Sequence, residues 1–298
     1  MGARRVYENA LKAAAAAAVM LATAAAAQTP RAAQADFAAV DANVADEAAF
    51  NRLLAGLPQV RLDDGGTPRT FYVWEGDMLL GAEEIRAILF AKKAGVEPAR
   101  GSQELLLQLR SDGQPGHWLR GRRALTWAAD CSTFDTPARC ATARQMFATA
   151  ARDWERACTN CGLTLREVPG AAGIRPGAGT NRPTLVLRYQ PEAFDYLAIA
   201  FFANDPAFKR YVSVTPGFFE TSFDRTGILR HEIGHVLGYR HEHNRALTGC
   251  HFEDNRWVAL TPYDPKSVMH YFCGGGGTRA LTLSASDVAG HRQLYRRP

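Results

Sequence analysis

A chain of 298 residues, 47% apolar and 22% charged, is long enough to bury a core in one or two domains, and its composition excludes a largely disordered protein. The formal net charge of +5 comes without a dense basic block, so nucleic-acid binding has no support.

The first 27 residues read as a targeting segment. Arg4, Arg5 and Lys12 precede an apolar run from Ala13 to Ala27, whose last residues before Gln28 include Ala25-Ala26-Ala27. A charged start, an apolar run and a small-residue cut site are the features of a secretory signal peptide, cleaved here after about Ala27. The run is shorter and more Ala-rich than the roughly 20 apolar residues that span a bilayer. Its removal takes away three cations and Glu8 and leaves a net charge of +3. The expectation is a secreted or periplasmic protein with no membrane span after signal removal.

Residues 28–117 contain no cysteine. They open with an Ala-rich, weakly acidic stretch expected to start as a loose helix. Arg69–Trp74 has the β-branched and aromatic content of a strand. Glu75-Gly76-Asp77 reads as a turn, and Gly81–Lys93 carries Ile85, Ile88, Leu89 and Phe90 at helical spacing. Gly113, Pro115 and Gly116 mark a linker, after which residues 118–298 form the main domain.

In that domain Ala124–Ala129 predicts a strand, and Thr136-Pro137 opens a helix to about Cys158. Its apolar stripe of Met146, Phe147, Ala150 and Trp154 reads as core. Thr184–Tyr189, Ala198–Phe202 and Tyr211–Thr215 are further strand candidates. Ser284-Ala-Ser-Asp287 is a capping box that starts a last helix, ending near Tyr295. Strands interleave with helices first and helices dominate later, so the fold class is α+β. Export turns the six cysteines towards disulfides, and sequence neighbours suggest Cys131–Cys140, Cys158–Cys161 and Cys250–Cys273 among fifteen connectivities.

The chemistry is concentrated in His231-Glu-Ile-Gly-His235-Val-Leu-Gly238-Tyr-Arg-His241. Residues four apart share a helix face, so His231 and His235 can present two imidazoles to one ion. Glu232 is rotated round the helix, where it can reach an attacking water. Gly238 can end the helix in the left-handed conformation and turn His241 back to the same point. Three imidazoles leave a zinc ion one open position, the arrangement of a catalytic site. The short His-Glu-x-x-His pattern arises by chance in roughly one chain of this size in a hundred, and Gly238 and His241 lower that by about three orders of magnitude. His117, His243, His251, His270 and His291 lack ligand spacing and are expected at the surface or in support of the ligands.

These residues resemble the metzincin zinc metallopeptidases, which also carry a methionine turn downstream. Ser267-Val268-Met269-His270-Tyr271 supplies such a turn, and its tyrosine resembles that of the astacins and serralysins. Serralysins add aspartate-bearing glycine repeats, which Gly274–Gly277 does not supply. His241-Glu242-His243-Asn244-Arg245 is similar to the astacin continuation, so the resemblance is astacin-like and covers roughly the last 180 residues. It implies a mixed sheet, an active-site helix, the Met-turn and a C-terminal helix, preceded by a small prosegment over residues 28–117. It also implies one Zn2+ per chain held by His231, His235, His241 and Tyr271, with Met269 as an apolar floor. Tyr271 would move to the oxyanion as substrate binds. Trp74-Glu75-Gly76-Asp77 is similar to the astacin latency motif, with Trp for Phe, so Asp77 is a candidate to block zinc in a precursor. Glu242 is a candidate to anchor the mature N-terminus. The cysteine spacing departs from that of animal astacins.

The function expected is a secreted zinc metalloendopeptidase with Glu232 as general base and a peptide or protein as partner. The alternatives are a zinc amidase on a non-peptide or cell-wall amide, and a secreted zinc-binding protein without turnover. A monomer is expected.

Overall fold

The computed structural model describes residues 46–296 apart from 75, 94–103, 111–112, 178–181, 193–195, 246–249 and 251–256. The expected signal peptide, the Ala-rich opening, Glu75 and His251 lie outside the described residues. The chain runs α1 (Glu47–Gly56), β1 (Gln59–Asp64), β2 (Thr67–Trp74), β3 (Met78–Leu80), α2 (Ala82–Lys93) and β4 (Glu104–Gln108). It continues through β5 (Ala124–Ala129), α3 (Pro137–Ala157), β6 (Thr164–Glu167), β7 (Leu185–Tyr189), β8 (Ala198–Ile199) and β9 (Tyr211–Val214). The last elements are α4 (Pro216–Glu220), α5 (Arg225–Val236), β10 (Trp257–Thr261) and α6 (Ala285–Tyr295).

The α+β architecture is built on a five-stranded mixed sheet of order β6-β5-β7-β9-β8. Its first four strands are parallel, and β8 closes one edge antiparallel to β9. Leu185, Val186 and Leu187 of β7 are all buried, as a parallel strand covered on both faces requires. Helix α3 is held at its start by Thr136, whose hydroxyl accepts from Arg139 N, and by Pro137 in its first turn. Its stripe packs inward: Trp127 meets Phe147 at 4.7 Å, and Trp154 stacks on Tyr239 at 5.3 Å. Trp154 also donates to Arg230 O (2.8 Å), and Arg230 forks onto Asp153 (2.7 and 3.0 Å). These contacts clamp α5 against α3.

Two features differ from the expectations. Only Ala198–Ile199 of the Ala198–Phe202 candidate lies in the sheet. Beyond it Ala200 bridges to Met78, and Asp205 Oδ2 takes Phe202 N at 2.8 Å, which turns the chain away. At the expected linker the chain folds back on β4, with Gly113 N donating to Arg110 O at 2.9 Å and Gly116 N to Gln108 O at 2.8 Å. Strand β4 before it pairs antiparallel with β10, so residues from both sides of His117 share a small sheet.

The N-terminal elements form an antiparallel β1-β2-β3 sheet with α1 and α2. One apolar cluster joins Phe50, Trp74, Ile85 and Leu89 to Phe202, and another joins Val60, Phe71 and Val73 to Tyr196 and Ile199. This layer therefore sits on the β8 edge of the main sheet. The cysteines pair as Cys131–Cys140, Cys158–Cys161 and Cys250–Cys273. Among the described residues no helix is long and apolar enough to cross a membrane.

Candidate metal centre

Helix α5 carries His231, Glu232 and His235, all buried. Asp224 caps its start by accepting from Gly227 N. Gly238 follows at φ +101°, a conformation open to glycine, and a Cβ there would meet Gly116 O at 2.3 Å. The turn brings His241 to the two helical imidazoles. His235 Nε2 lies 3.2 Å from His231 Nε2 and 3.1 Å from His241 Nε2.

Two of these rings are oriented by backbone. His231 Nδ1 donates to Val268 O (2.7 Å) and His235 Nδ1 donates to Tyr239 O (2.8 Å). Each bond fixes the tautomer and turns an Nε2 lone pair to the common point. Val268 is held in its turn by Asp287, which accepts from Val268 N (2.8 Å) and Ser267 Oγ (2.6 Å). Met269 is fully buried, and a Cβ on Gly234 would lie 2.3 Å from its Sδ. Only a glycine lets the methionine approach the helix so closely.

The fourth group arrives from the N-terminal layer. Trp74 pairs with Met78 across the β2–β3 turn, in which Gly76 takes φ +97°. That turn presents Asp77, whose Oδ2 lies 2.9 Å from His241 Nε2, 3.1 Å from His231 Nε2 and 3.5 Å from His235 Nε2. Tyr271 donates its hydroxyl to the same oxygen. Ala200 N donates to Asp77 O (3.1 Å), which fixes the turn to the end of β8. Ligand atoms of Asp77, His231, His235 and His241 all lie within 4.8 Å of one another. Burial raises the Asp77 carboxyl, but the charges of His241 and His235 and the hydrogen bonds from His231 and His235 outweigh it and hold it well below the usual range. Burial, and then the Asp77 charge, push Glu232 well above its ordinary value. Glu232 Oε2 makes no hydrogen bond among the described residues and faces the same cavity as Asp77 and Tyr271.

The donor set fits zinc. Nitrogens sharing one tetrahedral ion with bonds of about 2.0–2.1 Å stand roughly 3.3 Å apart, close to the separations found here. Three imidazoles, which would be neutral as ligands, and one carboxylate oxygen are borderline donors that suit it.

The remaining candidates are spread around this centre. Glu242 is fully buried, donates its backbone N–H to Met269 O (2.9 Å) and accepts from Asp264 N (3.4 Å). His243, His270 and His291 are buried rather than at the surface. His243 stacks on His241 at 5.1 Å, and His270 contacts Tyr263 OH at 2.8 Å. Sequence reasoning missed Gly234 and the second task of Asp287. The first has no signal apart from its place inside the motif, and the second was legible only as a helix cap.

No protein-family model matches the sequence, and no curated protein matches it. Solved structures give distant likenesses. One titled "Structure of myroilysin" is 16% identical, with 65% of this chain and 99% of that chain covered and a TM-score of 0.41. A "GM1 bound form of the ECX AB5 holotoxin" is 13% identical, covering 68% and 84%, with a TM-score of 0.36. Metalloproteinase-II from Bacteroides fragilis is 13% identical, covering 72% of each chain, with a TM-score of 0.26. Likeness this slight carries no argument about function, which rests on the residues of the site.

Proposed function

We propose that this chain is an exported zinc-dependent endopeptidase made as a precursor in which Asp77 occupies the metal position. The observation that carries the reading is the meeting of four buried ligand groups at one point, with Glu232 beside them on the wall of a cavity. His231, His235 and His241 would hold the ion, with Asp77 or Tyr271 completing the set. Zinc, when bound, lowers the pKa of a water to about 7 and polarises the scissile carbonyl. Glu232 accepts a proton from the attacking water and passes it to the departing amine nitrogen. The Tyr271 hydroxyl, freed from Asp77, donates to the carbonyl oxygen as negative charge grows there. The paired cysteines and the signal-like N-terminus support an oxidising destination.

The cavity beside Glu232 is walled by Leu197, Phe223, Ile228 and Leu281. These side chains would take an apolar substrate residue next to the scissile bond, and a charged residue there would be desolvated without a partner.

Elemental analysis and peptide cleavage test the reading together. The account expects one zinc per chain, lost on replacing His235 by Ala, and chelator-sensitive cleavage beside Leu or Phe in a peptide library by the processed chain. A chain that holds no zinc, or keeps it without His231, His235 and His241, would remove the basis of the proposal.

A further inference from the structure

Between the second and third histidines the chain leans on another strand. Residues 238–240 run alongside β4: Gln108 N donates to Gly238 O (2.8 Å), Arg240 N donates to Leu106 O (2.7 Å), and Leu107 bridges Tyr239 antiparallel. Strand β4 therefore stands between β10 on one side and this segment on the other. Its Leu105, Leu106 and Leu107 are all buried. Leu105 and Leu107 belong to the core cluster that contains α3 and α5, and neither is in the clusters of the N-terminal layer.

The segment that β4 holds governs two of the candidate ligands. Tyr239 O accepts from His235 Nδ1 at 2.8 Å and so sets the direction of that imidazole. Arg240 directly precedes His241, and its guanidinium is anchored by Nη1 donating to Gln108 Oε1 at 2.8 Å. The same guanidinium lies 5.8 Å from the Phe202 ring, which meets His235 edge-on at 5.5 Å. A turn led by a left-handed glycine has few bonds of its own with which to fix two rings. Strand β4 adds two backbone bonds and one charge-assisted bond to it.

We propose that β4 is a positioning strand of the metal centre and that Gln108 is a positioning residue, acting on His235 through Tyr239 and on His241 through Arg240. The inference rests on the reading of the three histidines as metal ligands, and it makes β4 the start of the metal-binding unit.

Titration of the intact chain with Co2+, followed by visible absorption, tests it, because the bands of bound cobalt report the geometry of its ligands. Gln108 is half-buried, so Gln108→Ala removes the bond to Arg240 without opening the core. That change should weaken cobalt binding about tenfold and shift the bands. Gln108→Glu keeps an oxygen acceptor for Arg240 and should restore both. Leu165→Ala, in the edge strand β6 at the far side of the main sheet from β8, shows what lost core packing does by itself. It should lower stability in urea and leave affinity and bands as in the parent. Parental affinity and bands in Gln108→Ala would overturn the proposal, as would an equal change in Leu165→Ala or a Gln108→Glu variant that behaves like Gln108→Ala. A parent that takes up no cobalt would overturn the metal reading itself and this inference with it.

Discussion

His231 and His235 each spend one ring nitrogen on a backbone carbonyl, and that choice fixes where the other nitrogen points. The carbonyl serving His231 is that of Val268, next to Met269, so the contact of Gly234 with Met269 bears on the orientation of a candidate ligand as well as on core packing. Gly234→Ala drives a methyl group into the methionine sulfur. It should cost about 1–3 kcal/mol in urea denaturation and reduce zinc affinity in a competition titration. Unchanged stability and affinity would show that Met269 relaxes freely. Asp77 makes a second prediction at this scale. Asp77→Ala removes the carboxylate from the three imidazoles and from Tyr271, so the uncut chain should gain proteolytic activity. A variant as inactive as the parent would mean that something other than this side chain blocks the site. The three histidines and Glu232 were legible because their spacing is itself the geometry of a helix followed by a left-handed glycine. Gly234 was not legible, because its role depends on a residue 35 positions away in sequence.

Helix α6 shows how one local signal can serve two purposes. Ser284 and Asp287 form the capping box that the sequence announces. The same Asp287 carboxylate also accepts from Ser267 Oγ and Val268 N, and so ties the start of α6 to the turn behind His231. Asp287→Ala should therefore cost more than the loss of a cap, which is about 1 kcal/mol. It leaves buried donors unsatisfied at about 1–3 kcal/mol further, and zinc affinity should fall with it. A loss no larger than that of Ser284→Ala would confine Asp287 to capping. Strands β4 and β10 were illegible for a different reason. Each is short, their partners stand about 150 residues apart, and neither alternates in the manner of an exposed strand. If the chain is a precursor as proposed, a cut between α2 and β4 would release the Asp77 layer and leave the β4–β10 sheet with the three histidines.

At the scale of the whole molecule, the ligand-bearing helix is sealed by buried polar groups whose protonation folding must control. His291 shares a 2.7 Å hydrogen bond with Tyr239 OH and is packed against Trp154 and Tyr295. Burial, with help from the Arg292 and Arg123 charges, lowers its pKa to about 3. The unfolded chain takes up this proton below about pH 6.5, while the folded chain refuses it until about pH 3. This contribution is therefore fully present above pH 6.5 and is lost as pH falls towards 3, by at most about 1.4 kcal/mol per pH unit. Urea denaturation at pH 7 and pH 5 should show the parent losing more stability than His291→Asn; equal losses would mean that His291 is not the group responsible. The α+β class and the disulfide pairs followed from composition and sequence neighbourhood, whereas the docking of the N-terminal layer on the β8 edge depends on apolar surfaces that no local pattern reveals. The central claim is that the four-ligand centre serves a protein-cutting reaction with Glu232 as base. It is tested most directly by casein hydrolysis with the processed, zinc-loaded chain beside its Glu232→Ala variant. The account predicts chelator-sensitive hydrolysis by the parent and none by the variant at equal zinc content. A zinc-loaded parent that leaves casein intact, or a variant that cuts it equally fast, would contradict the account.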